Sequence, residues 1–380
     1  MNSKYIKNII NMFILPIYFM AMILCNSSYG QHFLNSLGFS FLICIYFFIQ
    51  TLIKYKYLNK PIKIVILVFL LYTFLCVFFS FSNDYYYWFI AIFTVMSFLT
   101  LLNVKISESQ FKINIILYSS ISLIMLILFT SGIAFTRWNP NNISLLSTFG
   151  LMGCVILFNY CNKLRHKAGM MVVLLYFTNK SLLTDSRNGI LVTAILFLTV
   201  IILYKIVLQK MWFRVYYLLS IFMALIIPNI INVLNNSTYI TSILMFSKKY
   251  FEKDSLLSSR DYVWNMCITY IGDKWVFGHG ESLYNYLYSH NMYYSVVYMF
   301  GIVGYIIFII LNVVVFETIY KYAKNDKISM VCLLSYIAHF WQQIAENNLF
   351  TSDMSFYFPY VLLSVALSRA LLIKKISIKM

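Results

Sequence analysis

Apolar stretches long enough to cross a bilayer recur along the chain. Runs of about 17 to 25 residues, each sufficient for a helix through a hydrocarbon core of roughly 30 Å, lie near 9–25, 33–53, 62–82, 85–102, 113–131 and 142–160. Five more lie near 189–205, 212–231, 292–316, 328–345 and 355–373. A weaker run, 169–184, ends in the polar string TDSRNG and brings the predicted spans to twelve. The first span has the basic start of a signal peptide but no small-residue cleavage site before the second, so it is expected to be retained. No repeat of 20 to 50 residues is visible. The pattern predicts an all-α polytopic membrane protein, a single transmembrane domain over 1–380 with one long excursion at 232–291.

That excursion has a pattern of its own. Val263, Met266, Cys267, Tyr270 and Ile271 follow helical spacing, and Ser258 and Ser259 are placed to cap a short helix. Gly272 and Asp273 should end it; Trp275 and Phe277 suit an interfacial aromatic belt, and Gly278 and Gly280 permit a tight turn around His279. The segment is expected to fold back over the helix bundle.

Composition agrees with the pattern: 61% of residues are hydrophobic and 11% charged, and the mean hydropathy is +0.78. The net charge of +17 reflects topology. With both termini cytoplasmic, only Arg137, Lys180, Arg187, Lys248, Lys249, Lys253, Arg260 and Lys274 fall outward, and the rest of the 29 basic residues lie inward. A nucleic-acid partner is excluded because no soluble basic face exists to bind one. The seven cysteines show no disulfide or zinc spacing.

Several outward polar residues are candidates for chemistry. Arg187 opens a helix in TDSRNG, on the side that disfavours cations, and an anion would justify it there; its plain alternative is an interfacial anchor paired with Asp185. Arg260 opens the loop helix in SSRDYVW, where the alternative is an exposed first-turn charge. Arg137, in FTRWNPNN, shares a short outer loop with Asn139, Pro140 and Asn141, where a plain turn is the stronger reading. His290, beside Asn291 at a helix mouth, can accept a proton from a bound hydroxyl near neutral pH. His279, between two glycines, reads as loop structure. His339, Gln343 and Glu346 share one face of the eleventh span, either as a functional stripe or as a polar seam between helices.

The order of these motifs, NPNN, SRNG, SSRDYVW, GHG and SHNMYY, resembles the bacterial O-antigen polymerase and O-antigen ligase superfamily. The likeness runs from about Arg137 to Glu346. It implies a donor glycan on undecaprenyl diphosphate, Arg187 and Arg260 as holders of the diphosphate, and His290 as the base; Arg137, Asn291, His339, Gln343 and Glu346 stand beside these as candidate substrate contacts read from the residues themselves. Asn188 departs from the small residue that commonly follows the first arginine, which puts the local packing in question and leaves the charge. The resemblance also implies a lipid-linked acceptor, and a chain-length regulator and a flippase as protein partners.

Transfer of a glycan from a lipid diphosphate requires stabilisation of the leaving diphosphate and deprotonation of the acceptor hydroxyl. Two arginines and a histidine supply both without a metal or other cofactor, and attack opposite the leaving group inverts the anomeric carbon. Tyr284, Tyr286, Tyr288, Tyr293 and Tyr294 can stack on sugars, or simply mark an interface. A metal-dependent lipid glycosyltransferase would want carboxylates in the first outer loop, which here reads NSSYGQH. A lipid-linked-sugar flippase would show pseudo-repeats and charges deep in many spans, and neither is visible. Polymerisation of repeat units is the expected activity, with ligation to a lipid A core sugar as the alternative.

Overall fold

The computed structural model describes residues 63–64, 67–68, 71–72, 108–131, 140–182, 187–234, 245, 260–281, 283, 287, 289–343 and 358–379. Every regular element among them is helical. In chain order these are α1 (Glu108–Thr130), α2 (Pro140–Tyr160), α3 (Leu164–Leu182), α4 (Arg187–Leu196, continued by a π turn over Phe197–Ile202), α5 (Tyr204–Val207) and α6 (Lys210–Leu234). They are followed by α7 (Arg260–Ile271, ending in a 3-10 turn, Gly272–Lys274), α8 (Met292–Ala323), α9 (Lys327–Gln342) and α10 (Phe358–Lys379).

Eight predicted spans coincide with α1, α2, α3, α4, α6, α8, α9 and α10, and the weak span 169–184 is a full helix. The predicted spans 9–25, 33–53 and 85–102 lie outside the described residues, and 62–82 is met at six helical positions. In α1 the run Phe111–Leu128, and α8 as a whole, are long and apolar enough to cross a membrane. Ser147–Tyr160 and Gly189–Ile202 are shorter apolar helices.

Neighbouring helices alternate in direction because their connections are short. Helices α1 and α2 pack antiparallel: Phe111 meets Tyr160 at 6.4 Å near one end, and Ser119 donates to the Gly150 carbonyl at 3.3 Å further along. Glycine permits that approach, since a Cβ at Gly153 would run into the Ser119 hydroxyl and one at Gly150 would sit 2.5 Å from the Phe177 ring of α3. Phe149 of α2 meets the ring of His339 on α9 at 5.4 Å, and Phe316 of α8 packs on Tyr336 and Phe340 of α9.

The two ends of the bundle differ in chemistry. At the basic end, Asp326 caps α9 through the Ser329 N–H and receives a bidentate bond from Arg369 of α10 (2.6 and 2.9 Å). Burial opposes the Asp326 charge, but the Arg369 guanidinium and the Ser329 hydroxyl outweigh it and hold the carboxyl below the ordinary carboxylate range. Lys112 stands over Tyr160, and Lys324 and Lys374 stand over Tyr320 and Tyr322, at the same end. Arg214 of α6 forks onto Glu317 of α8 nearby (2.7 and 3.0 Å). The opposite end gathers the finish of α3, the start of α4, the finish of α9 and the start of α8.

Candidate functional site

The sequence predicts a straight helix at 292–316. The structure instead runs α8 to Ala323 and breaks it at Gly301, whose backbone (φ 67, ψ −178) no helix contains. A break in an apolar helix frees backbone groups that lipid cannot satisfy. The segment Trp275–Gly280 takes them: His279 and Gly280 donate to the carbonyls of Tyr298 and Met299 (2.7 and 3.1 Å), and Ile302 and Val303 donate to those of Trp275 and Val276 (2.8 and 3.2 Å). Tyr72 donates its hydroxyl to the Phe300 carbonyl at 2.6 Å. Two glycines let the chains meet; Gly278 has φ 80, and a Cβ there would lie 2.5 Å from the Met299 carbonyl.

His279 is part of this plug, as its glycine neighbours suggest. Its ring stacks on Tyr298 at 4.3 Å and 7°, and Nε2 bonds the Ile271 carbonyl at 3.1 Å, an arrangement in which Nε2 carries the proton.

Beyond the break, the short arm of α8, 292–300, turns back alongside the long arm, 302–323. Tyr293 and Tyr305 would stand roughly 18 Å apart along a straight helix, yet their rings meet at 5.7 Å and their hydroxyls donate to the adjacent carbonyls of Ser220 and Ile221 on α6 (3.2 and 3.3 Å). The fold-back carries the SHN motif onto the end of α9, where the Met292 N–H donates to the Gln343 carbonyl at 3.1 Å.

The motif is held by α7, by the end of α9 and by hydrogen bonds within its own segment. The indole N–H of buried Trp264, on α7, donates to the Ser289 carbonyl at 3.1 Å. The Ser289 hydroxyl bonds the Asn291 carbonyl (2.8 Å) and the Ser295 hydroxyl (2.7 Å). Asn291 caps α8, its Oδ1 accepting from the N–H groups of Tyr293 and Tyr294 at 2.8 and 3.3 Å. Between them His290 sits at φ 49, alone among the described non-glycine residues in having positive φ. A histidine costs about 1–2 kcal/mol there. Its flanks are fixed, and His290 itself is partly buried.

Arg260, partly buried, is the first residue of α7, one helical turn before Trp264, so it stands on the face that meets the His290 turn. Arg187 is the first residue of α4, and α4 packs on α9. Its end of the bundle follows from two contacts: Gly150 lies against Phe177 and Lys167 stands over Phe158, so α3 runs opposite to α2 and finishes at the Phe149–His339 end, one short connection before Arg187. Both arginines thus begin helices, where the N-terminal backbone favours anions.

His339 and Gln343 are fully buried one turn below the motif. His339 Nδ1 pairs with Gln342 Oε1 at 2.9 Å, and its Nε2 with the Gln343 amide at 3.0 Å. This is a polar seam whose backbone end carries Met292. Arg137 and Glu346 lie outside the described residues. No cluster of three metal-ligating side chains occurs among the described residues.

Sequence reasoning missed the roles of Trp264, Ser289, Ser295, Gln342 and Gly301. Trp264 ends the motif SSRDYVW with no chemistry of its own to mark it, and Gly301, one of two glycines in the apolar run YMFGIVGY, was the only sign of the break.

No curated protein matches the chain. Residues 171–309 match the family model described as O-antigen ligase, a stretch that takes in Arg187, Arg260, His290 and the break at Gly301 and stops short of Arg137 and the His339 seam. Over that stretch the chain is similar to the O-antigen polymerase and ligase superfamily, whose members are enzymes that act on lipid-linked glycans.

Proposed function

We propose that the protein polymerises undecaprenyl-diphosphate-linked oligosaccharide repeat units into O-antigen or capsular polysaccharide on the outer face of a bacterial cytoplasmic membrane. In this reading the basic end is cytoplasmic, both termini lie there, and the 232–291 loop is external. The observation that carries it is the His290 turn, a strained histidine clamped by Trp264, Ser295 and Gln343 at the end of the bundle where Arg187 and Arg260 begin their helices.

In the reaction the acceptor hydroxyl gives its proton to the His290 imidazole as its oxygen attacks the anomeric carbon. The bond from that carbon to the diphosphate oxygen breaks, and undecaprenyl diphosphate leaves with the electron pair. Arg187 and Arg260 stabilise that charge with forked hydrogen bonds, which a guanidinium provides and an ammonium does not. Attack from the face opposite the leaving group inverts the carbon, and no step calls for a metal.

Ligation to a lipid A core sugar is the second reading, favoured by the description of the matching family. The purified protein, given only the lipid-linked repeat unit, should build a ladder of longer lipid-linked glycans. Product that forms only when a lipid A core acceptor is added would make it a ligase, and transfer of donor across a vesicle membrane without any new glycosidic bond would make it a transporter.

A further inference from the structure

The long arm of α8 and helix α9 start from the same short turn, Lys324–Asp326, and run side by side. From Ala323 the long arm climbs 22 residues to Ile302, about 33 Å at helical rise. Helix α9 climbs 16 residues to Gln342, about 24 Å. Gln343 holds Met292, and the short arm descends from Gly301 to reach it. The His290 turn therefore lies below the break by the difference, roughly 9 Å. The tyrosine pairing agrees, since Tyr293 is level with Tyr305 rather than above Gly301.

The break itself has the features of a membrane boundary. Trp275 and Phe277, level with it through the Ile302 and Val303 hydrogen bonds to the carbonyls of Trp275 and Val276, are 54% and 65% exposed. A long arm of about 33 Å matches the thickness of a hydrocarbon core. Exposed tryptophan and phenylalanine one membrane thickness from a cluster of lysines are where an interfacial belt belongs.

We infer that Trp275–Gly280 is a positioning element: by wedging α8 open at Gly301 it folds the short arm inward and recesses the His290 turn roughly 9 Å below the outer aromatic belt. This rests on the proposed function for its sidedness and for the role of His290, and it deepens that reading by naming the element that sets the depth of the histidine. A recess beneath the belt suits a diphosphate carried by a membrane lipid, which is held at that boundary by its tail. It does not suit a water-soluble nucleotide sugar arriving from above. Gly278 and Gly301 are positioning residues in this scheme, because a side chain at either drives the plug and the helix apart.

The test is a depth measurement that needs no enzymatic activity. Nitroxide labels on His290→Cys and Trp275→Cys, in a full-length background free of other cysteines and reconstituted in phosphatidylethanolamine–phosphatidylglycerol vesicles, are compared for collisions with oxygen and with a water-soluble nickel chelate. The label at 290 should report a position roughly 9 Å deeper than the label at 275. Equal or shallower depth at 290 overturns the recess. Adding Gly301→Ala should shift the depth or mobility of the 290 label, and an unmoved label overturns the positioning role of the plug. Should Gly301→Ala fail to insert, the pair of labels in the glycine background still decides the recess. A recessed label, together with an unlabelled parent protein that retains His290 and lacks transferase activity, would uphold the geometry and reject the function.

Discussion

Replacing Trp264 by phenylalanine keeps most of a buried aromatic side chain and removes one hydrogen bond, the 3.1 Å contact from the indole to the Ser289 carbonyl. The carbonyl is then left with a desolvation penalty of about 1–3 kcal/mol. That energy is comparable with the roughly 1–2 kcal/mol stored in the left-handed backbone of His290, so the turn gains a reason to relax out of the observed conformation. If the full penalty fell on the reactive geometry, transfer would slow by about 5-fold to 150-fold, taking tenfold per 1.4 kcal/mol. Donor binding, which the proposal assigns to the arginines, should change little. Steady-state transfer with purified donor should therefore show kcat reduced within that range and KM within a few-fold of the parent, with thermal unfolding in detergent lowered by no more than the equivalent of about 1–3 kcal/mol. A Trp264→Phe protein with parental kcat would refute the claim that α7 holds the histidine in place, and a KM effect alone would move Trp264 to a role in binding.

Alanine at Arg187 or Arg260 should abolish glycan chain growth with expression unchanged, and lysine should rescue each poorly because it lacks the fork; near-normal ladders from either alanine variant would remove that residue from the diphosphate site. For topology, single cysteines at Thr269 and Asn325, both exposed, should react oppositely with an impermeant thiol reagent on intact cells, the first labelled and the second protected; the reverse pattern would invert the orientation. Asp326→Asn should lower the unfolding midpoint by the equivalent of about 1–3 kcal/mol, since it cuts a half-buried ion pair and weakens the cap of α9. Because the Asp326 carboxyl titrates below its ordinary range when folded, its stabilisation is present at neutral pH and is lost as pH falls through that lowered value. The variant should therefore lie below the parent at neutral pH and converge with it in strong acid.

Much of the helical framework was legible because apolar run length is a strong signal; even the weak span 169–184 forms Leu164–Leu182. The loop helix followed from its spacing, although its buried face is Trp264, Cys267 and Ile271, turned onto the protein. The re-entrant arm was not legible. Residues 292–316 read as one apolar helix, and the contacts that break it are backbone bonds to Trp275, Val276, His279 and Gly280, which leave no mark in hydrophobicity. The His339–Gln343 stripe was visible as polar residues at helical spacing, but spacing alone does not say whether such a face meets substrate or a neighbour. Its complete burial, and the bond from Gln343 to Met292, place it behind the His290 turn.

The central claim is that the His290 imidazole takes the acceptor proton in a metal-free transfer. Because His290 is held at φ 49, alanine changes both the side chain and a strained backbone, so asparagine, which tolerates that conformation, is the sharper probe. The decisive measurement is turnover of a purified lipid-diphosphate donor, with EDTA present, by the parent, His290→Asn, His290→Ala and His279→Ala. The parent should be unaffected by EDTA, both His290 variants should bind donor while transferring about 100-fold to 10,000-fold more slowly, and His279→Ala should lose far less. Parental activity abolished by EDTA would contradict the metal-free mechanism, and a His290→Asn enzyme within a few-fold of the parent would contradict the assignment of the base.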